Sequence, residues 1–273
     1  MIFVNHFKIN FKMIGYKIAS SEGKRVLVTL EIPSDANTNL DRKRLKDKMC
    51  AKYRCDKAFV LCIEDEEGKK YKSASTSIFS FKKIKYVVGE EIFEKDYNKD
   101  VNVVCGEGIH FFLSKEVALL YGLDKIENGE YKIWDDNGHL VFNCNYEEGK
   151  IEGECKRWYI SGKIWDQCYF KNDKLEGEYK EWFTDGKLHI HCQYKEGKLE
   201  GEYKEWFSDG KLNIHCHYKE GKLEGEYKEW FADGKLHIHC HYKEGKLEGQ
   251  YKQWDEDGKL IKDEVYVNGE KIK

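Results

Sequence analysis

The second half of the chain repeats one pattern of apolar and polar positions every 24 residues. In one unit, residues 188–194 alternate strictly between apolar and polar side chains, which is typical of a half-buried β-strand. Residues 179–183 are rich in aromatic side chains, which strands also favour. Between them, Asp185 and Gly186 favour a turn of type I′, whose two central residues both need positive φ. Residues 196–197 turn the chain into the next unit, so the pattern predicts one β-hairpin per repeat.

Six copies of this unit follow one another without an insertion. A tryptophan recurs at the same position of every copy: Trp134, Trp158, Trp182, Trp206, Trp230 and Trp254. A cysteine recurs in the second strand of five copies: Cys144, Cys168, Cys192, Cys216 and Cys240. A fixed period of this length is the signature of a repeat array. The sequence therefore predicts two domains, residues 1–127 and an array over residues 128–273.

The alternation in the second strand predicts two unlike faces of the sheet. One face takes Leu188, Ile190, Cys192 and Tyr194, and the other takes His189, His191, Gln193 and Lys195. In the first strand, Tyr179 and Phe183 share a face, and Trp182 lies opposite them unless a bulge intervenes. Two interpretations of the tryptophan row stay open. The six indoles are either the thin core of a single-layer sheet or an exposed aromatic groove that binds a ligand.

The repeated motif Gly-Glu-Tyr-Lys-Glu-Trp-Phe-x-Asp-Gly-Lys-Leu, with its return through Tyr-Lys-Glu-Gly-Lys-Leu-Glu-Gly, closely resembles the MORN repeat in its variant form. The resemblance covers residues 128–273. It implies a mainly β fold, a single-layer twisted antiparallel sheet of tandem β-hairpins without catalytic residues. Members of that family mostly scaffold protein complexes and often form extended dimers. The charge-rich, nearly identical copies also resemble the tandem MORN proteins of giant DNA viruses of amoebae.

The net charge of −3 is divided unevenly along the chain. Residues 1–127 carry 23 Lys and Arg against 19 Asp and Glu, whereas the remainder carries 24 against 31. An acidic array is repelled by anionic lipid headgroups and by phosphate backbones. The sequence therefore predicts a protein partner for the array, no nucleic acid, and no preference for a membrane.

The cysteines and the lack of long apolar runs indicate the cellular compartment in which the protein is expected. The five repeated cysteines lie on equivalent strands about 10 Å apart, which is beyond disulfide reach. They are interpreted as small buried apolar side chains in a reducing compartment. The first residues lack the features of a signal peptide, and no stretch approaches 18 apolar residues. We expect an intracellular protein, in the host cytoplasm or the virion if it is viral, without a transmembrane segment.

Seven histidines of the array form a further candidate site: His189, His191, His215, His217, His237, His239 and His241. A His-x-His pair in a strand places two rings about 6.7 Å apart on one face, close enough to share a metal ion. Duplication of a solvated polar face explains the same residues without any ligand. The sequence therefore predicts no metal and no cofactor, and these seven remain only candidates.

Residues 1–127 lack the repeat and predict a small α+β or mostly-β domain. Apolar runs predict strands over residues 26–32, 58–63, 86–88 and 109–113. Ser114 is a favourable N-cap for a helix over residues 115–121, which Gly122 ends. Residues 40–51 predict a second helix. The basic run at residues 42–48 is interpreted as a solvated helix face. Cys50, Cys55 and Cys62 lack the paired spacing of a zinc site.

Residues 105–121, with the preceding Leu-Glu-Ile-Pro and Val-Gly-Glu-Glu sections, resemble an uncharacterised domain. That domain occurs in phages and giant viruses beside MORN or pentapeptide repeats, and it implies no known activity. The segment is also similar to the strand-helix motif of ADP-ribosyltransferases, which has a tyrosine where this chain has His110. Neither a partner His-Gly strand nor a catalytic glutamate matches, so no catalytic residue is assigned. His110 is instead interpreted as a ring buried in a strand and bonded to the backbone.

These patterns favour a protein that is not an enzyme. We expect a scaffolding or interaction protein whose array docks a partner or forms a homodimer. Two alternatives stay open: an enzyme or a degenerate ADP-ribosyltransferase-like domain in residues 1–127 that the array targets, and a peripheral membrane module.

Overall fold

A computed structural model of the protein describes residues 13–76, 83–123 and 126–273. The chain divides into two compact units. The first takes Met1–Leu123 with Ile133–Leu140, and the second takes Asp124–Lys132 with Val141–Lys273. The domain limits predicted from the sequence, 1–127 and 128–273, stay a prediction, because the first unit also includes part of the first predicted repeat.

Strands of the first unit form one antiparallel sheet. Its described strands are β1 (Met13–Ser21), β2 (Lys24–Ile32), β3 (Lys52–Cys55), β4 (Lys57–Glu64), β5 (Ser73–Ser75), β6 (Lys85–Val87), β7 (Glu91–Phe93) and β8 (Ile109–Phe112). Their order across the sheet is β3-β8-β1-β2-β4-β7, and β5 joins β1 to β6. The longest pairing runs from Met13 opposite Ile32 to Ser21 opposite Lys24. The first domain is therefore mostly β.

Alternation along β2 places its apolar side chains in a closed core. Val26, Val28, Leu30 and Ile32 are all at most 1% exposed, and they pack with residues of β3, β4, β6 and β8. Removing a side chain of this kind from water contributes about 1.5–3 kcal/mol. The core is thus built from segments that are far apart in the sequence.

The helical predictions for the first unit have opposite outcomes. Helix α1 (Lys115–Leu120) is confirmed, and the Ser114 hydroxyl caps it by accepting a hydrogen bond from the Val117 N–H at 3.3 Å. The helix predicted over residues 40–51 is wrong, because this segment forms turns. Arg44 has φ +68°, a left-handed conformation that interrupts a helix. The Arg42 side chain is drawn inward to the backbone oxygens of Lys52 and Asp136.

The second sheet contains the tandem hairpins. Its described strands are β9 (Gly129–Trp134), β10 (Leu140–Glu147), β11 (Lys150–Ile151), β12 (Gly153–Trp158), β13 (Ile164–Lys171), β14 (Lys174–Leu175), β15 (Gly177–Trp182), β16 (Leu188–Lys195), β17 (Lys198–Trp206), β18 (Leu212–Lys219), β19 (Lys222–Trp230), β20 (Leu236–Lys243), β21 (Lys246–Leu247), β22 (Gly249–Trp254), β23 (Leu260–Val267) and β24 (Glu270–Lys271). The long strands pair with their neighbours in chain order, all antiparallel. The predicted fold class, a sheet of tandem β-hairpins after a small β domain, is confirmed.

One of the two turns of the repeat differs from the prediction, and the other lies at residues 196–197 as predicted. Glu196 and Gly197 have φ +51° and +80°, so the type I′ turn lies between repeats. At the other end only Gly186 has positive φ, at +94°, and the type I′ turn predicted for Asp185 and Gly186 is wrong. The Gly186 N–H donates to the Phe183 oxygen at 2.8 Å, which closes a three-residue loop ending in glycine. A type I turn followed by a left-handed residue is the usual form of such a loop.

A β-bulge interrupts the hairpins of the second to sixth repeats close to this loop. Glu181 lies opposite Ile190, but Trp182 lies opposite Leu188, so His189 is the extra residue. Directly opposed residues share a face, and successive residues alternate. We call the side with Tyr179, Cys192 and their equivalents the cysteine face. We call the side with Trp182, Leu188 and their equivalents the tryptophan face.

The bulge corrects the faces predicted from the strict alternation. Leu188 does not share a face with Ile190, because the bulge moves it to the tryptophan face beside Trp182. His189 lies on the cysteine face, where its ring is 4.2 Å from that of Phe183. The shared face predicted for His189 and His191 is therefore wrong. The extra residue reverses every side chain between the bulge and the loop.

Candidate functional site: the tryptophan face of the array

Five of the six tryptophans lie opposite an aliphatic residue at the same end of the hairpin. The pairs are Trp158 with Ile164, Trp182 with Leu188, Trp206 with Leu212, Trp230 with Leu236, and Trp254 with Leu260. All these indoles are half-buried. Alternation along the first strand places these indoles on the face away from the cysteines, so they are not part of the apolar layer around the cysteines. Trp134 differs from the others because it packs against a cluster containing Phe112 and Val117.

Charged side chains flank the tryptophans on the same face. The Lys180 ammonium lies 2.8 Å from Glu178, and the His191 Nε2 lies 2.8 Å from the same carboxylate. The Lys180 ammonium, with the further contribution of His191, lowers the pKa of the Glu178 carboxyl. Equivalent pairs recur at Lys204 with Glu202 and Lys228 with Glu226. The face thus combines an aromatic row with a polar surround whose charges are largely matched.

Of the seven candidate histidines, five are held by glutamates and none forms a metal cluster in the described parts of the chain. His189 and His237 contact Glu181 and Glu229 on the cysteine face at 3.1 Å. His191, His215 and His239 contact Glu178, Glu202 and Glu226 on the tryptophan face. The predicted approach of neighbouring rings does occur for His215 with His217 and for His239 with His241, at 5.7 Å between centroids.

The cysteine face is the more closed side of the sheet. Cys192, Cys216 and Cys240 are at most 2% exposed. Tyrosine pairs pack edge to face next to them, for example Tyr203 and Tyr218 with centroids 5.8 Å apart. Burial raises the pKa of the Cys192 thiol to about 12. A thiol that stays protonated is a poor nucleophile and metal ligand, so these cysteines are structural, as expected.

The array contains a sixth cysteine, to which the argument from the spacing of the five repeated cysteines does not apply. Cys155 occupies the position that tyrosine holds in the other repeats, and it lies directly opposite Cys168. The Cys155 and Cys144 thiols are hydrogen-bonded as well, and this contact lowers the pKa of Cys144. All three thiols are free. The expected separation of about 10 Å concerns successive second strands and does not apply to Cys155, whose neighbouring cysteines are on adjacent strands.

The second repeat replaces three equivalent residues of the cysteine face by another arrangement. Arg157, Trp165 and Asp166 stand where the third repeat has Glu181, His189 and Ile190. The Arg157 Nε donates to the Asp166 carboxylate at 2.8 Å, and its guanidinium stacks 4.2 Å from the Trp165 ring. Asp166 is 1% exposed, and the ion pair with Arg157 compensates its charge.

Contacts between successive repeats fix the spacing of the tryptophan row. At the loop end, a lysine ammonium donates to a backbone oxygen of the next loop, as from Lys187 to Ser208 at 2.7 Å. At the opposite end, a glutamate accepts the backbone N–H of the next turn, as Glu176 does from Glu196 at 2.8 Å. These contacts recur with the period of the repeat. The array therefore presents equivalent residues in fixed positions.

The first unit contains the other residues considered in the sequence analysis. His110 is confirmed as a ring in a strand bonded to the backbone, with its Nε2 3.2 Å from the Val104 oxygen. Burial, with the nearby charges of Lys52 and Lys17, lowers the pKa of His110 to about 4. The ring is thus neutral at pH 7 and faces no carboxylate that would orient it for proton transfer in the described contacts.

The sequence did not reveal the environment of Cys105. This exposed thiol donates to the Asp136 carboxylate at 3.2 Å, and the Lys52 ammonium lies 3.9 Å from its sulfur. Burial and the bond to Asp136 raise the pKa of Cys105. The thiol is therefore kept protonated, and the cluster lacks the lowered pKa that nucleophilic catalysis requires. Only proximity in the fold brings these residues together, since they are far apart in the sequence.

Similarity to known families follows the two parts of the chain. Residues 4–118 match a family of unknown function (DUF5758). The MORN repeat variant matches six times, at residues 127–150, 151–172, 175–196, 199–220, 223–244 and 247–268. No curated protein matches the chain significantly. Neither match belongs to a catalytic family. No helix in the described residues is long and apolar enough to cross a membrane.

Proposed function

We propose, from the premise that this chain carries six variant MORN repeats, that its array is a docking surface for a protein partner and that the tryptophan face makes the contacts. MORN repeats are in general modules for protein interaction or membrane binding. The observation that carries the proposal is the row of half-buried indoles, each beside an aliphatic residue, on the side of the sheet opposite the closed cysteine layer.

The composition of the tryptophan face matches that of a protein-binding surface. Tryptophan is among the residues that contribute most to protein–protein affinity, and such residues are typically ringed by polar groups that exclude water. On the tryptophan face, the surrounding polar groups are paired Lys, Glu and His side chains. The excess of negative charge in residues 128–273 favours a protein partner over an anionic lipid surface. The partner that suits this face has an apolar groove with basic residues at its rim.

Several finer parts of the proposal rest on the sequence alone. They are the role as a scaffold, the homodimer through the array, the giant-virus setting and the reducing intracellular compartment. The last long strand of the array is partly covered at residues 263–269, because Tyr266 and Val267 pair with β24. Light scattering after size exclusion tests the homodimer, and a mass near 32.3 kDa at high protein concentration would remove it.

Photo-crosslinking at two adjacent residues tests which face binds. Trp230 and Phe231 are both half-buried aromatic residues, and they point to opposite faces of the sheet. Phe231 lies 4.3 Å from His237 on the cysteine face. Benzoyl-phenylalanine is introduced at one position or the other in the full chain, and the protein is irradiated in the cells that produce it.

We expect one crosslinked protein species from position 230 and none from position 231. The same comparison at Trp206 and Phe207 provides an independent pair. Crosslinks that arise equally from both positions, or only from the phenylalanine positions, would contradict the assignment of the face. A folded array that gives crosslinks from neither position would contradict the docking function. Co-sedimentation with phosphatidylserine vesicles is expected to fail, and binding there would favour the membrane alternative.

A further inference from the structure

The first unit contains a basic cavity that the docking function does not use. It has a volume of about 760 Å³ and is lined by residues of three segments, 20–22, 69–75 and 83–85. Its described lining includes Lys69, Lys70, Lys72, Lys83 and Lys85, against one acidic residue, Glu22. We refer to it as the lysine cavity.

The pairing of three strands builds the floor of the lysine cavity. Ser20 of β1 lies opposite Ser75 of β5, and Ser75 lies opposite Lys85 of β6. Ala74 and Tyr86, the adjacent pair, are 5% and 0% exposed and point to the core. Because side chains alternate along a strand, the hydroxyl of Ser75 and the ammonium of Lys85 point to the other side. The polar row is therefore fixed by the register of the sheet.

The charges of the lysine cavity are only partly compensated. The Lys70 ammonium pairs with Glu64, and the Lys69 ammonium lies 4.9 Å from the Tyr71 ring centroid. Within the described residues, neither an ion pair nor a hydrogen bond engages the side chains of Lys72, Lys83 and Lys85. Like charges that line one cavity repel one another, and salt screens that repulsion only in part. A bound polyanion removes that repulsion.

We propose that the lysine cavity binds a small ligand that carries several phosphate groups. Its volume falls within the range of about 300–1,000 Å³ that is typical of small-molecule sites. Lysine binds phosphate as a point charge, and serine hydroxyls add neutral donors. An extended nucleic acid would need a line of cations, whereas here five lysines line one concave site. This binding goes beyond the docking function of the array and is independent of it.

A ligand with several phosphate groups has two possible sources, a free phosphorylated metabolite and the headgroup of a phosphoinositide. Calorimetry of the full chain with inositol trisphosphate tests the first. Co-sedimentation with vesicles containing phosphatidylinositol bisphosphate tests the second. Binding to the soluble probe alone identifies a free ligand, and binding to both identifies a headgroup that the cavity can reach at a bilayer surface.

A matched pair of variants assigns the binding to the cavity. The cavity variant carries Lys72→Gln, Lys83→Gln and Lys85→Gln. The control variant carries Lys43→Gln, Lys46→Gln and Lys48→Gln, which removes the same charge from an exposed basic run of the same unit. All six side chains are exposed, so both variants are expected to fold, and circular dichroism verifies this.

We expect the cavity variant to lose at least about tenfold in affinity for inositol trisphosphate, since three charged contacts are lost. The control variant should stay within about twofold of the unmodified chain. Equal losses in both variants would show general attraction to a basic surface and would overturn the proposal. Absence of binding by the unmodified chain to both probes would overturn it as well. So would tighter binding of a 12-nucleotide single strand that depends on Lys43, Lys46 and Lys48.

Discussion

The two units bury their apolar side chains in different ways. The first unit has a core in which Val28, Leu30, Tyr53 and Phe111 are 0% exposed. The residues that pack together in this core come from distant parts of the sequence. In the array, the tryptophans and tyrosines of the three central repeats are half-buried, and the cysteines are the most enclosed side chains. Each repeat contacts mainly the repeat before and the repeat after it. The first unit should therefore behave cooperatively, and the array should behave as a sum of local contributions.

The two units differ in charge as well as in packing. The first contains the lysine cavity. The array contains a cavity of about 420 Å³ lined by Glu130, Glu147, Glu152 and Glu154. Opposite charge in the two cavities means that one kind of ligand does not serve both. The proposed anion binding therefore belongs to the first unit, and the proposed protein contacts belong to the array.

The largest effect is expected when part of a repeat is deleted. Removing residues 201–224 joins Glu200 to Gly225 and restores the original motif, because the period is 24 residues. The shortened array should fold, with the β-sheet signal in circular dichroism reduced in proportion to its length. Removing residues 201–212 takes away a strand and its loop, which breaks the register of all later hairpins. Equal stability of the two deletions would contradict the independence of the repeats.

Substitution of Arg54 is expected to destabilise the first unit by about 4 kcal/mol. This fully buried guanidinium donates to the backbone oxygens of Val103, Asn98 and Asp100, and it stacks 4.8 Å from the Tyr97 ring. Arg54→Met leaves these oxygens without their donor. Arg54→Lys should recover only part of the loss, since lysine lacks the planar fork. Urea unfolding measures the effect, and a cost below about 1 kcal/mol for Arg54→Met would contradict this role.

In the array, Arg157→Met should cost about 3 kcal/mol, because it leaves the Asp166 carboxylate buried without its partner. Because the repeats are equivalent, residues of another repeat can replace this ion pair, and the first unit has no such equivalent. The triple change Arg157→Glu, Trp165→His and Asp166→Ile reproduces the residues of the third repeat at Glu181, His189 and Ile190. Its stability should lie within about 1 kcal/mol of the unmodified chain. If the triple variant is as unstable as Arg157→Met, then the repeats are not interchangeable units.

The smallest effect concerns the pH dependence of the first unit. The pKa of His110 is about 4 in the folded protein, below the usual 6.5, because burial disfavours the charged ring. The unfolded chain therefore binds the proton more readily. The stability from this group is complete above pH 6.5 and is lost as the pH falls toward 4. We expect a loss of about 2 kcal/mol between pH 7 and pH 5. His110→Gln should remove that part of the slope, and an unchanged slope would contradict the assignment.

The sequence predicted the array better than the details on which its function depends. The period, the two strands per repeat and the structural cysteines follow from residues that recur identically, as with Cys192 and Cys216. The bulge at His189 could not be predicted from the sequence. Residues 188–194 alternate between apolar and polar side chains, and nothing in that alternation marks one of them as an extra residue. Cys155 was overlooked because it replaces a tyrosine and not another cysteine.

The first unit was less predictable because its contacts span long stretches of sequence. Apolar runs located β2 and β4, but β3, which contains Arg54, has no apolar pattern. The segment at residues 40–51 looked helical, yet the Arg42 side chain bonds to distant backbone oxygens. The lysine cavity depends on the pairing of β1, β5 and β6, and no spacing of lysines in the sequence indicates that pairing.

Hydrogen exchange of the full chain, resolved by peptide, tests the central comparison most directly. If the first unit has one cooperative core, then its strands β1, β2 and β4 should exchange through a single opening with one common free energy. Peptides of the array should instead show free energies of opening that differ from repeat to repeat. A single common opening free energy for all six repeats, or separate values for β1, β2 and β4, would contradict the account.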